Sequence, residues 1–413
     1  MWFCLSPVRK PLTSDPAQAD IESHIAALKV DDDVEEIRLG GNTLGVEACK
    51  ALAEVLKTKK NLQIFNAADI FTGRLISEIP DALTALLTAL LTLPKLHTVD
   101  LSDNAFGGRL AEPLKDFYSK AGPLRHLLLN NNGLGPAGGS IVANAIKDLA
   151  AVKSADPSLP PLETIVCGRN RLEDGSMHAW SAAYAAHKTL KIVNMVQNGI
   201  RPTGINKLLR NGLSHCAELV HLDLQDNTFT LEGAQALASV VTGWSKIEAL
   251  CVGDCLLSAR GGVLLGEALN LQKTPELKKL SLQYNEIDIK GAQAIHTAIL
   301  NSLPNLEVLE LNGNKFSEED PLVDEIRELF SDRGFGGLDS LSDMEEESDE
   351  EEEDEEFDEE EEEEEEHEEE EQEEKAERVL KEADHAQAQN GPQEKDKKVE
   401  DLAELLGTTK ISA

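Results

Sequence analysis

The sequence predicts an α/β solenoid on two observations: a short pattern recurs ten times between Val34 and Phe316, and the hydrophobic period changes inside each recurrence. The clearest copy is Leu219-x-x-Leu222-x-Leu224-x-x-Asn227-x-Phe229. It matches the leucine-rich-repeat template L-x-x-L-x-L-x-x-N-x-L. Its counterparts begin at Val34, Leu62, Leu96, Leu124, Leu162, Leu190, Ile247, Leu277 and Leu306, at successive spacings of 28, 34, 28, 38, 28, 29, 28, 30 and 29 residues. The first half of a unit alternates apolar residues with period two, as around Leu222 and Leu224, and reads as a short strand. The second half has helical spacing: Leu231, Ala234, Ala236, Leu237 and Val240 or Val241 fall on one face.

Units of 28–29 residues leave room for a full helix, which shorter repeats do not. The expected architecture is a ribonuclease-inhibitor-like horseshoe with parallel inner strands, outer helices and a disordered acidic tail. The 413 residues divide into an N-terminal extension (1–20), a leucine-rich-repeat domain (21–342), an acidic run (343–374) and a polar C-terminal tail (375–413). Asn42, Asn104, Asn132, Asn170, Asn198, Asn227, Asn285 and Asn314 fill the ninth template position, with Ile70 and Cys255 in the other two units. A side-chain amide there can bond backbone groups of neighbouring coils that the turn leaves unpartnered, so these residues are structural. The interval of 34 adds about six residues around Asp69–Arg74, at a strand end, on the edge where a partner would dock. The interval of 38 adds about ten near residues 154–161, and their Pro and Ser content reads as a surface excursion between helix and strand.

Charge is uneven. The whole chain carries −38, and 27 of the 32 residues from Asp343 to Glu374 are Asp or Glu, with no Lys or Arg among them. Residues 375–413 carry −1 and residues 1–342 carry −10, so no basic face exists to neutralise phosphates, and direct nucleic-acid binding is not expected. So dense a run of like charges is expected to stay solvated, and to draw in a basic partner surface in a salt-dependent way. The six cysteines have neither disulfide nor zinc spacing, which fits a reduced, intracellular setting. The longest uncharged apolar stretch, Ala82 to Leu93, has 12 residues and is too short for a bilayer. Met1 to Leu5 lacks a basic flank and an adequate apolar core, so no secretory signal is read there. The chain lacks P-loop, G-x-S-x-G, H-E-x-x-H and C-x-x-C motifs, and its ten histidines are scattered. No metal site and no cofactor are expected; any catalytic effect would be exerted on a partner's site.

The residue before each ladder position marks the strand exit: Gly41, Asp69, Asp103, Asn131, Arg169, Gln197, Asp226, Asp254, Tyr284 and Gly313. This row is polar and chemically varied, unlike the monotonous core, and is the candidate partner-binding edge. In Asn130-Asn131-Asn132 only the third is needed for the ladder, so Asn131 presents a donor and an acceptor together at the edge. Arg74 sits on the first inserted segment.

These residues resemble the Ran GTPase-activating protein family. The resemblance is carried by Asp69-Ile-Phe-Thr-Gly-Arg74 with Glu78-Ile-Pro80, Leu101-Ser-Asp-Asn-Ala-Phe106, Asn131-Asn-Gly-Leu-Gly135, Cys167-Gly-Arg-Asn-Arg-Leu172 and Met195-Val-Gln-Asn-Gly-Ile-Arg-Pro202. Leu224-Gln-Asp-Asn-Thr-Phe229, Leu256-Leu-Ser-Ala-Arg-Gly261, Leu311-Asn-Gly-Asn and the acidic run complete it, over roughly residues 30–375. The resemblance implies stimulation of GTP hydrolysis by the small GTPase Ran in its GTP form, alone or with a Ran-binding protein. It places the catalytic effect on Asn131 and Arg74. The residue matching Asn131 fixes the GTPase's own glutamine, which aligns the attacking water, in place of an inserted arginine finger. The residue matching Arg74 steadies the switch region. Asp103, Arg169, Arg171, Gln197, Asp226 and Asp254 are the expected partner contacts, of which Arg171 and Asp226 match family edge positions. The chain departs at Ile76, where family members can carry lysine. The lengths flanking the repeats look like the compact, fungal-type form, and the implied setting is a monomer in the cytoplasm, near nuclear pores. Two other readings stay open: a leucine-rich binding protein that inhibits an enzyme, and an acidic-tailed histone-handling protein.

Overall fold

The computed structural model describes residues 2–4 and 19–345; most of the acidic run and the whole polar tail lie outside the described residues, and with them the expected disorder. Twelve strands stack in sequence order as one parallel sheet. They are β1 (Trp2–Cys4), β2 (Glu36–Arg38), β3 (Ile64–Asn66), β4 (Thr98–Asp100), β5 (His126–Leu128), β6 (Thr164–Val166), β7 (Ile192–Asn194), β8 (His221–Asp223), β9 (Ala249–Cys251), β10 (Lys279–Ser281), β11 (Val308–Glu310) and β12 (Gly337–Leu338). Two short helices, α1 (Ala19–Glu22) and α2 (Ala26–Val30), precede β2. One α-helix then follows each strand from β2 to β11: α3 (Val46–Leu56), α4 (Ile79–Leu90), α5 (Ala111–Tyr118), α6 (Gly135–Ala155), α7 (Met177–Ala186), α8 (Pro202–Asn211), α9 (Thr230–Val241), α10 (Ser258–Leu269), α11 (Ile289–Asn301) and α12 (Pro321–Arg333). This is a leucine-rich-repeat solenoid.

Three residues per strand suffice because the core needs one inward side chain from each. Ile37, Phe65, Val99, Leu127, Ile165, Val193, Leu222, Leu250, Leu280 and Leu309 are all 0% exposed. They occupy matching register positions from β2 to β11. Each such side chain contributes roughly 1.5–3 kcal/mol by leaving water. On α9 the predicted face is the buried one, from Leu231 to Val241.

The asparagine ladder joins the coils. Asn132 Nδ2 donates to the carbonyls of Leu101, Leu129 and Asn130 at 3.0, 3.2 and 3.0 Å, and its N–H donates to Asn170 Oδ1 at 3.0 Å. The same relay links Ile70 N–H to Asn104, Asn104 to Asn132, Asn170 to Asn198 and Asn198 to Asn227. Cys255 cannot accept as an amide does, and its thiol lies 3.5 Å from the Leu224 carbonyl instead. All six cysteines are free, and burial pushes the thiols of Cys49, Cys167 and Cys216 up to about 12.

Two boundaries shift. The sheet starts inside the N-terminal extension, because Trp2–Cys4 pairs in parallel with Glu36–Arg38. In the 38-residue interval α6 runs 21 residues to Ala155, and residues 156–161 form the expected surface excursion between α6 and β6. Lys153 on its last turn ties the returning chain down, donating to the carbonyls of Gly122, Leu124 and Pro160 at 2.7, 2.6 and 2.6 Å. The acidic run begins in the fold: Asp343 accepts from Tyr284 Oη at 2.8 Å and from Asn312 Nδ2 at 2.9 Å.

The core also sets an acid limit. His187 is 4% exposed and its Nε2 lies 2.7 Å from the Ile146 carbonyl, so the neutral ring donates there. Burial holds its pKa below the ordinary 6.5, with the Lys153 charge adding to the effect and the Ile146 contact opposing it. As pH falls below about 6.5 the unfolded chain takes up the proton first, so the stability held above that value is progressively lost. The denaturant midpoint is expected to fall between pH 7 and 5, and His187→Gln should flatten that part of the profile.

Candidate functional site

Every strand exit turns through the left-handed region. Gly41, Asp69, Asp103, Asn131, Arg169, Gln197, Asp226, Asp254, Tyr284 and Gly313 all have φ between 50° and 74°. That conformation costs an L-residue roughly 1–2 kcal/mol, which explains Gly, Asp and Asn in the row but not Arg169, Gln197 or Tyr284. From Gly41 to Tyr284 each turn is held from the next coil. Asp103 N–H donates to the Asn130 carbonyl at 2.9 Å, Asn131 N–H to Gly168 at 2.9 Å and Arg169 N–H to Val196 at 2.7 Å. The turn sends the ladder asparagine inward and leaves its predecessor's side chain outside on a fixed backbone. The same turn in every coil lines these outward residues up along one edge, the candidate functional edge.

Along that edge the predicted residues form two groups. Asn131 and Asp103 are exposed neighbours, and Asn131 Nδ2 donates to Asp103 Oδ1 at 2.8 Å. Farther along, Arg171, Gln197, Asp226 and Asp254, with Glu173 and Leu256, line an open depression. Burial and then the Asp254 carboxylate raise the pKa of Asp226, against a Gln197 hydrogen bond and the charge of Arg169. Three carboxylates, Glu173, Asp226 and Asp254, against the single Arg171 in one depression favour a cation there.

Arg74 is not a solvated loop residue. Its side chain is only 8% exposed, Nη2 donates to the Thr43 carbonyl at 2.9 Å and Nη1 lies 3.9 Å from Glu78 Oε2. It pins the inserted segment to the preceding coil, while Leu75 and Ile76 beside it are 67% and 54% exposed. Sequence reading missed Thr43 and Glu78 as holders of Arg74. Only the Arg74–Glu78 spacing of four was visible as a signal. It also missed the tie between Asn131 and Asp103. Among the described residues no His, Cys, Asp and Glu cluster could hold a metal ion, and no helix is long and apolar enough to cross a membrane.

Residues 215–238 and 275–295 match the family model described as Leucine Rich repeat. A Ran GTPase-activating protein 1 from Saccharomyces cerevisiae is 39% identical over 334 residues, covering 78% of this chain and 80% of that protein. The chain belongs to the Ran GTPase-activating protein family. The family's protein from Drosophila melanogaster is 33% identical, over 75% of this chain and 52% of its own length. A ribonuclease inhibitor from Sus scrofa is 23% identical over 69% of this chain and 59% of its own length. Ile76, where the resemblance leads to an expectation of lysine, is an exposed position close to the mostly buried side chain of Arg74.

Proposed function

We propose that this chain accelerates GTP hydrolysis by Ran, with Asn131 orienting the GTPase's own glutamine and no arginine entering the phosphates. Membership of the Ran GTPase-activating family supports the activity. The observation that carries the mechanism is the contrast between the two candidate side chains: Asn131 is exposed on a rigid turn, whereas Arg74 is held against its own fold. Restraining a water-aligning group in near-attack geometry lowers the barrier by removing entropy from it. The chain itself is then an activator, and the bonds made and broken are in its partner's site. The depression bearing Asp226 and Asp254 suits a basic side chain of the partner. Activation outside the nucleus would sustain the nucleotide gradient used in nucleocytoplasmic transport, which supports a cytoplasmic setting near nuclear pores.

The test is single-turnover hydrolysis by purified Ran loaded with GTP, with and without the full chain, and with other small GTPases as controls. Acceleration of Ran alone supports the reading; binding without acceleration would instead favour an inhibitor-type repeat protein. Arg74→Lys gives a second check. Lysine keeps the charge but loses the planar fork that reaches Thr43. The expected result is a KM for Ran raised about tenfold with a nearly unchanged saturating rate, the weakening that loss of one charged hydrogen bond brings. A finger arginine would instead cost about 10³–10⁵ in that rate.

A further inference from the structure

We infer that Asp103 is a positioning residue for Asn131: its carboxylate turns the Asn131 amide so that Oδ1 faces the partner as a hydrogen-bond acceptor. The inference rests on the proposed role of Asn131 and replaces the simpler expectation that Asp103 touches the partner through its charge.

An asparagine amide has a donor end and an acceptor end, and nothing in its shape decides which points outward. Here a neighbour decides. An ionised carboxylate only accepts, so the 2.8 Å contact to Asp103 Oδ1 must come from Asn131 Nδ2. Both residues sit on left-handed turns, at φ 61° and 52°, with their N–H groups bonded to the next coil. Neither backbone has slack to undo the pairing.

Two other Asn–Asp pairs on the sheet show what an ordinary brace looks like. Asn66 donates to Asp100 at 2.8 Å and Asn194 to Asp223 at 2.9 Å, and all four residues are half-buried. The Oδ1 atoms of Asn66 and Asn194 are also engaged, by the N–H groups of Ala68 and Val196 at 3.1 and 3.3 Å. Asn131 Oδ1 accepts no hydrogen bond among the described residues, and the Asn131–Asp103 pair is exposed. The Asp103 contact therefore fixes an amide and leaves its acceptor open to the outside.

The polarity matters to the chemistry. A glutamine carboxamide that donates through its NH₂ to Asn131 Oδ1 keeps its own carbonyl oxygen for the attacking water. The opposite flip would offer that carbonyl an NH₂ group from Asn131 and draw it away from the water. Asp103 thus selects the orientation in which the partner's glutamine is held by one end and works with the other.

The experiment uses the full chain with Asp103→Gly, Asp103→Asn, Asn131→Ala and the double variant Asp103→Gly with Asn131→Ala. Glycine suits the left-handed turn at position 103, so the deletion adds no backbone strain. Asp103→Gly is expected to lower the saturating single-turnover rate about tenfold with KM changed less than twofold, an orientation loss rather than a binding loss. Asp103→Asn, which retains an oxygen acceptor for the same bond, should recover most of that rate. In the Asn131→Ala background, Asp103→Gly should have no further effect, because residues acting through one contact are not additive. A full additional loss in that background, or an Asp103→Asn variant as impaired as Asp103→Gly with KM raised, would overturn the inference in favour of a charge contact. A readout without GTPase separates this from the parent reading: the Asn131 side-chain NH₂ resonances of the free chain, labelled with ¹⁵N-asparagine. They should move in Asp103→Gly and return towards their place in Asp103→Asn. Unmoved resonances sink the positioning role even where Ran is accelerated, whereas an inactive wild type with moved resonances sinks only the role of Asn131.

Discussion

Replacement of Asn131 by alanine is expected to lower the saturating single-turnover rate of Ran about 10²–10³-fold, the range found when one preorganised catalytic hydrogen-bonding group is removed. KM should change far less, because the remaining edge from Arg169 to Asp254 is untouched. Fold stability should shift by no more than about 1–2 kcal/mol, the cost of alanine in a left-handed turn. Asn131 has one side-chain hydrogen bond within the chain, to another exposed residue, so its loss uncovers no buried group. Asn131→Gly, which suits φ 52° better, should lose the same catalytic factor without that strain. Stopped-flow hydrolysis at saturating chain decides the matter; an unaltered rate for both variants would remove the glutamine-orienting mechanism.

The adjacent substitution should do the reverse. Asn132→Ala is expected to destabilise the solenoid by about 3–5 kcal/mol, read as a lower urea midpoint, while the chain that remains folded keeps most of its catalytic effect. Asn132 is 0% exposed. Its amide serves three carbonyls, and its Oδ1 accepts the Asn104 N–H at 3.0 Å. Alanine leaves the Asn104 N–H without a partner inside the stack, at about 1–3 kcal/mol, and takes one hydrogen bond, about 0.5–1.5 kcal/mol, from each of three carbonyls that keep another from Asn104 Nδ2, Asn170 Nδ2 or the Asp103 N–H. A loss of this size is a large share of the roughly 5–15 kcal/mol by which domains are stable. A change below about 1 kcal/mol would mean that the coils can relax or admit water at this point. The proposed division between two neighbouring asparagines, one for chemistry and the other for the fold, would then fail.

Much of this was legible because repeats state their geometry many times over. The period near 28 located the strands and helices, and the ladder positions identified Asn132 and its equivalents as buried before any coordinate was known. The strand-exit row was legible as a row, but its left-handed turn was not. The surface excursion was legible too: residues 156–161 make an exposed turn between α6 and β6, although α6 keeps Ser154 and Ala155. Trp2–Cys4 carries no template, so its place beside β2 had no signal in the chain.

The repeat spacing by itself determined the solenoid, the ladder and which edge carries varied polar side chains, because each follows from residues a fixed distance apart. The burial of Arg74 against Thr43, the grip of Tyr284 and Asn312 on Asp343, and the direction of the Asn131 amide were decided only when coils stacked. These contacts join residues 28 to 59 positions apart, and their geometry depends on turns and side-chain orientations that no single stretch of sequence encodes.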